Sequence, residues 1–348
     1  MRGISLHRLR ISSTLINGLD SYTEDAGLNF ESLASAVELN RYDTSDQENF
    51  VQLESFAKFL DVGAVMTGDE AFGLRFAISQ MESLTGPLGV AMMNAPTVKQ
   101  SLLTMVKFVG VRLDLAHIEL VLEQDRASIE WGFSPLLVRR WQLCDFVIGS
   151  LTGRVKQMID RSWQPLRIGL VRPKPQNMDV YRQFLGRNIQ FSYGFNFCAI
   201  SANALSEPLQ DVDPLVYEIA CNLLDRMGRE RHRSGDLLTS TREEIILALP
   251  QVERLHIGRI ARRLGISVRS LQRYLADEHG TTFRNLVDET RKSLAKRYMQ
   301  DPKLSLSQIS YQLGFSAPSA FTRASYRWFG DRPVHVRRAL RQGVLTQS

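Results

Sequence analysis

The sequence predicts an α+β N-terminal domain followed by an all-α C-terminal domain that holds two helix-turn-helix units joined by a linker helix. Three observations carry this. Strand-like and helix-like patterns mix along the first 230 residues, and no strand pattern follows residue 240. Two short stretches inside the helical part match at an offset of 49 residues. The charge divides in the same region: residues 251–348 hold 18 Lys and Arg against 7 Asp and Glu, a surplus of +11, and the total of +6 leaves −5 for residues 1–250.

A chain of 348 residues suggests two domains. The boundary falls in Arg229–Asp236, a charged stretch with Gly235 and no apolar anchors, which gives domains at 1–236 and 237–348. No apolar run approaches the roughly 18 residues needed to span a bilayer. Met1–Asp20 carries Arg2, Arg8 and Arg10 and lacks an uninterrupted apolar core, so no secretory signal and no membrane partner are expected. Cys144, Cys198 and Cys221 are far apart, odd in number and set among apolar neighbours. They read as small buried hydrophobes in a reducing, cytoplasmic setting, with no disulfide framework and no metal site.

In the N-terminal part, Ser32–Leu39, Phe50–Leu60 and Thr97–Val109 have helical apolar spacing, the last with Val98, Leu102, Met105, Val106 and Val109 on one face. His117–Leu122 and Ala127–Phe133 read as strands joined by a polar turn, and Pro135 opens a long helix through Leu143, Phe146, Val147, Leu151 and Val155. Arg167–Val171 reads as a strand and Val180–Leu185 as a short helix ended by Gly186. Ile189–Tyr193 and Phe195–Ile200 read as a hairpin around Gly194. Asp213-Pro214 begins a helix carrying Leu215, Ile219, Leu223 and Leu224 and ending near Gly228. Beyond the boundary, Ser240–Glu243 has capping-box spacing ahead of Ile245, Ile246 and Leu249.

The repeat pairs Ile260, Leu264, Gly265, Ser267 and Ser270 with Ile309, Leu313, Gly314, Ser316 and Ser319. Each copy reads as a short helix, a glycine turn, a serine and a second helix. The crossing helices need a small residue, Ala261 or Ser310, where they touch. Gly265 and Gly314 suit the positive φ of the turn. Ile266 and Phe315 fill the space beneath it, and Ser267 and Ser316 are placed to cap the second helix.

Periodicity assigns the faces. In the first recognition helix Leu271 and Leu275 point inward, which leaves Arg269, Gln272, Arg273 and Ala276 outward. Arginine pairs with guanine and glutamine with adenine in the major groove of DNA. In the second helix Ala320, Phe321, Ala324 and Trp328 make the buried stripe, and Pro318, Ser319, Thr322, Arg323 and Tyr326 face outward. One arginine and short hydroxyls predict a weaker reader there, more engaged with backbone. A helix over Phe283–Met299, burying Leu286, Val287, Leu294 and Tyr298, joins the two units as a rigid spacer. Arg259, Arg262, Arg263 and Arg284 are candidate phosphate contacts, with plain solvated arginines as the alternative for each.

The run GRIARRLGISVRSLQRYLADEHGTTF through LSLSQISYQLGFSAPSAFTRASYRWFGDRP resembles the AraC/XylS family of bacterial transcription regulators over about Leu238–Arg338. The resemblance implies base contacts at Arg269, Gln272 and Arg273 on the first recognition helix and at Pro318, Ser319, Thr322 and Arg323 on the second. The chain departs from the family pattern at Arg332, where serine commonly precedes the proline, and at Val336, where an aromatic often precedes the closing arginine. The stretches FGLRFAISQMESLTGPLGVAMMNAPTVKQSLLTMVKF and YRQFLGRNIQFSYGFNFCAISANALSEPL resemble the arabinose-binding-type effector domain of the subgroup that includes the ornithine-utilisation regulator. That implies a ligand-responsive regulator, an activator, whose partners are promoter DNA, RNA polymerase, a small-molecule effector of unknown identity and a second copy of itself, with no cofactor.

Two other readings stand beside this one. In the first, the N-terminal domain only dimerises and senses nothing. In the second, the chain is a DNA-modifying or repair enzyme that uses the same DNA-binding domain. The enzyme reading needs an activated or zinc-bound cysteine, or clustered carboxylates for a metal. Asp211 and Asp213, the nearest carboxylate pair, read as a turn and helix start, and the six histidines make no sequence-local ligand pair.

Overall fold

The computed structural model describes residues 9–39, 50–81, 86–115, 117–133, 137, 141–233, 237–249, 255–301 and 304–341. The chain divides into two compact units, the first through Arg231 and the second from His232.

In the first unit β1 (Arg10–Ser12) pairs antiparallel with β2 (Phe50–Gln52). Between them lie α1 (Leu19–Asp25) and α2 (Phe30–Ala36), the second capped by Asn29, whose side chain accepts from Ser32 N. The helical spacing read from Phe50 therefore begins as strand, and α3 (Leu53–Thr67) starts only behind it. Three residues of strand and the first turn of a helix look alike in apolar spacing, and the ladder to β1 decides. Next come α4 (Phe72–Ser79), α5 (Gly86–Met93) and α6 (Val98–Phe108). Thr97 caps α6, accepting from Gln100 N, and Val98, Leu102 and Met105 are buried as their spacing predicts.

A five-stranded mixed sheet follows. β3 (His117–Leu122) and β4 (Arg126–Gly132) form the expected hairpin. After it comes α7 (Trp141–Met158), which buries Leu143, Phe146, Leu151 and Val155. The expected helix start at Pro135 lies outside the described residues. Then come β5 (Arg167–Leu170), α8 (Asp179–Leu185), β6 (Ile189–Phe191) and β7 (Asn196–Ser201), with strand order β3-β4-β7-β5-β6.

The hairpin expected around Gly194 does not form: β6 and β7 are separated by β5, which pairs parallel with β6 and antiparallel with β7. The wedge is specific. Gly169 of β5 lies opposite Phe197 of β7, and a Cβ at Gly169 would sit 2.2 Å from the Phe197 ring. The absent side chain leaves room for that ring, and no local pattern in β6 or β7 signals it.

Behind the sheet, buried Asp145 of α7 accepts from Tyr181 Oη of α8 at 2.7 Å and pairs with buried Arg172, which follows β5. Tyr181 Oη also lies 3.1 Å from the Glu70 carbonyl oxygen. The knot ties three elements together. Burial pushes the Asp145 carboxyl up to about 7, against the opposing pull of Arg172 and Tyr181.

After α9 (Ala202–Ser206), α10 spans Pro214–Arg233 and runs on past Gly228, where its end was expected. A helical glycine costs only about 1 kcal/mol relative to alanine, too little to stop a helix flanked by good formers. Ala220 and Leu224 of α10 are buried, and Tyr217 bonds to Gln100 and Thr104 of α6. That orientation leaves Leu215 64% and Ile219 58% exposed.

The second unit is helical throughout its described residues: α11 (Leu237–Ala248), α12 (Ile257–Arg263), α13 (Val268–Asp277), α14 (Phe283–Gln300), α15 (Leu306–Gln312), α16 (Pro318–Phe329) and α17 (Pro333–Arg341). Ser240 lies inside α11 and is no cap; the Thr241 hydroxyl instead donates back to the Leu237 carbonyl at 2.6 Å. Ile245, Ile246 and Leu249 are buried, as expected.

Candidate nucleic-acid interface

The first helix-turn-helix is α12–α13. His256 begins α12, its Nδ1 accepting from Gly258 N at 3.1 Å. Ile260 and Ala261 are buried at the crossing, and Gly265 carries the turn at φ +69°. Ser267 caps α13, its Oγ accepting from Ser270 N at 3.0 Å. Leu271 and Leu275 are fully buried, which commits the opposite face of α13 outward. Arg269, Gln272, Arg273 and Ala276 are all exposed there.

The second unit is α15–α16. Ser305 and Gln308 form a capping box at the start of α15. Gly314 turns the chain at φ +72°. Ser316 does not cap α16: the cap position is Ala317, which offers no side-chain bond, and Pro318 takes the first helical position. Proline has no N–H, so one of the donors that a cap would serve is already gone. Phe321, Ala324 and Trp328 are buried, and Pro318, Ser319, Arg323 and Tyr326 are exposed. Thr322 is half-buried, and its hydroxyl donates to the Pro318 carbonyl at 3.1 Å.

Two residues of α14 hold this second unit in place. Arg291 donates from Nε to the Leu313 carbonyl at 2.9 Å and from Nη2 to the Gly314 carbonyl at 3.1 Å, and its guanidinium lies 4.8 Å from the Phe315 ring centre. It thus satisfies carbonyls at the end of α15 that have no helical partner. Burial pulls its pKa below the ordinary arginine value. Asp288 accepts from Trp328 Nε1 at 2.8 Å and pairs with Arg327, so α14 also grips α16. Sequence reasoning passed over both. Their signal is a short one: Asp288 and Arg291 are three apart, on one face of a helix whose apolar residues explain neither.

Two arginines make side-chain contacts that the spacing did not assign. Arg263, a candidate phosphate contact, forms a 2.6 Å ion pair with Glu244 of α11 and braces the domain. Arg332, the departure from the family pattern, donates from Nε to Tyr326 Oη at 2.9 Å. It adds a cation beside Tyr326 on the outward face of α16. Arg259, Arg262 and Arg284 are exposed.

Residues 27–209 match the arabinose-binding domain of AraC transcription regulator, N-term, and residues 260–339 match a helix-turn-helix domain. The chain belongs to the AraC family of transcription regulators. It is 27% identical to the ornithine utilization regulator of Pseudomonas aeruginosa over 79% of this chain and 80% of that one. It is 25% identical to the HTH-type transcriptional regulator VirS of Mycobacterium tuberculosis over 84% and 85% of the two chains. The crystal structure of the transcriptional regulator CdpR from Pseudomonas aeruginosa overlays with a TM-score of 0.40 at 20% identity, covering 89% of this chain and 96% of that one. This AraC-family chain is therefore a DNA-binding transcription regulator whose C-terminal helices carry the family's DNA-binding fold. Among the described residues no helix is long and apolar enough to cross a membrane.

Proposed function

We propose that this regulator reads promoter bases chiefly through α13 and uses α16 to set register. The observation that carries this is the exposed set Arg269, Gln272 and Arg273, opposite the buried pair Leu271 and Leu275. Two guanidinium forks and one amide match guanine and adenine edges. On α16, Pro318, Ser319 and the locally bonded Thr322 offer little base chemistry, and Arg323 with Arg332 suits phosphate. At 18 residues and 1.5 Å per residue, α14 is about 27 Å long, a stiff spacer on the scale of the roughly 34 Å between successive major grooves.

The N-terminal unit responds to a small effector, and the protein acts in the cytoplasm as an activator that engages RNA polymerase. It works as a dimer: Leu215 and Ile219 form an apolar stripe on α10 that a second copy would cover. A monomer by sedimentation at micromolar concentration would remove the dimer. An enzymatic role is disfavoured by the thiols. Burial pushes Cys198 up to about 12 and raises Cys144 further, whereas a nucleophilic cysteine needs a lowered pKa.

The test is binding of purified protein to its own upstream region. Affinity is expected to fall steeply and log-linearly with salt, as phosphate contacts release counterions. Failure to enrich any promoter fragment in a genomic selection sinks this reading.

A further inference from the structure

The first unit holds a partly open cavity of about 110 Å³ between helices α4–α7 and the β3–β4 face of the sheet. An apolar cavity of about 150 Å³ is known to stay dry and to take benzene, so this one suits a compact molecule of similar bulk. Its wall is mostly hydrocarbon and thioether: Ile129, Phe146 and the three methionines Met81, Met92 and Met105. Methionine adapts to the shape of what it packs against.

The polar side chains in the wall are few: Gln80, Ser150, Arg154 and the indole of Trp131. Trp131 is 1% exposed, and its Nε1–H meets no acceptor among the described residues. A buried donor without an acceptor is uncommon because it forfeits its hydration for nothing. Arg154 is half-buried, with Nη1 donating to Gln157 at 2.8 Å. A pentose would bring hydroxyls on every face to a wall with polar groups at four places, and a buried hydroxyl without a partner opposes binding.

We propose that this cavity is the effector site and that the effector is a compact molecule, hydrocarbon except for one ketone or carboxylate group, an oxygen of which accepts from Trp131 Nε1. The inference rests on the reading of the N-terminal unit as an effector domain. It replaces the sugar suggested by the family's name with a molecule that seats no more than about six carbons inside, because the cavity is smaller than the one that takes benzene, and that can extend at the open side. Trp131 supplies specificity because an apolar wall selects weakly among hydrocarbons, whereas an unpaired donor rejects those without an acceptor.

The experiment uses the full chain and four probes: cyclohexanone, cyclohexanecarboxylate, methylcyclohexane and L-arabinose, followed by thermal shift and calorimetry. At least one carbonyl probe is expected to stabilise the protein saturably, with L-arabinose inert at the same concentration. Trp131→Phe keeps an aromatic ring and removes the N–H; it is expected to weaken the carbonyl probe about tenfold without weakening methylcyclohexane. Val147→Phe, which fills the cavity from α7, is expected to abolish all binding with the circular dichroism intact. Selective weakening of cyclohexanecarboxylate by Arg154→Gln would mark the effector as an acid; equal responses of the two carbonyl probes would mark it as neutral.

A saturable response to L-arabinose alone overturns the proposal. So does silence with every probe, or unchanged carbonyl affinity in both Trp131→Phe and Val147→Phe. Promoter binding by the same preparation separates the two levels of argument. DNA bound with no probe response removes the effector site only, and loss of DNA binding removes the regulator reading.

Discussion

A Cβ on Gly314 would lie 2.3 Å from the carbonyl oxygen of Leu249. The turn of the second helix-turn-helix is thus pressed against the end of α11, in addition to its positive φ of +72°. Gly265, at the matching place in the first unit with φ +69°, has nothing among the described residues within 4 Å of the equivalent position.

The two turns are therefore expected to respond differently to alanine. Gly265→Ala bears only the left-handed backbone cost of about 1–2 kcal/mol. Gly314→Ala adds a backbone collision that no rotamer change relieves, and is expected to cost clearly more. Urea denaturation of both variants, followed through the helical signal, measures the difference; equal losses would refute the close approach to Leu249.

Asp288 joins the linker helix to the second recognition helix through Trp328 Nε1. A hydrogen bond to a charged group contributes about 1.5–3 kcal/mol, so Asp288→Ala is expected to lose stability in that range. Asp288→Asn retains an acceptor and is expected to recover part of it. Promoter affinity should fall with Asp288→Ala because α16 is no longer held in register. Unchanged affinity together with unchanged stability would show that the contact does not position α16.

Arg273 on the first recognition helix and Arg332 just beyond the second are expected to fail in different ways. Arg273→Ala is expected to cost about 1–3 kcal/mol on the specific site and to relax one base preference. Arg332→Ser is expected to weaken binding to all sequences alike and to reduce the salt slope by about one. Binding titrations against a randomised site at several salt concentrations distinguish the two patterns. A uniform loss with Arg273→Ala would reassign that arginine to phosphate.

In the N-terminal unit, removing Asp145 from the buried Asp145–Arg172 pair strands the guanidinium, which does not deprotonate. Asp145→Leu is expected to cost about 3–5 kcal/mol. The double replacement Asp145→Leu with Arg172→Met removes both charges and is expected to recover much of that loss. Thermal melts of the single and double variants form the cycle, and additive losses would refute a direct pairing.

Much of the C-terminal domain is legible in the order of its residues. Helix faces follow from local spacing, so Leu271, Leu275, Phe321 and Trp328 are buried where periodicity puts them. The outward set on α13 follows by elimination. Local chemistry misleads at Ser316 and Ser240, because a serine near a helix start caps only when the helix begins one residue later. At both places the helix boundary lies elsewhere, at Pro318 and at Leu237. The β6–β7 hairpin fails for a different reason: strand neighbours are chosen by the whole sheet, and the partner of Phe197 is Gly169, far behind it in the chain.

The family, the two-part architecture and the outward side of α13 are written in the residues themselves, because charge, a 49-residue repeat and a 3.6-residue period are local or countable properties. The cavity, the buried indole of Trp131 in its wall, the grip of Arg291 and Asp288 on the second unit and the burial of Gly314 against Leu249 come only with the folded chain. Each is a meeting of residues distant in sequence. A linear pattern records which face of an element is apolar, and packing alone decides what that face meets.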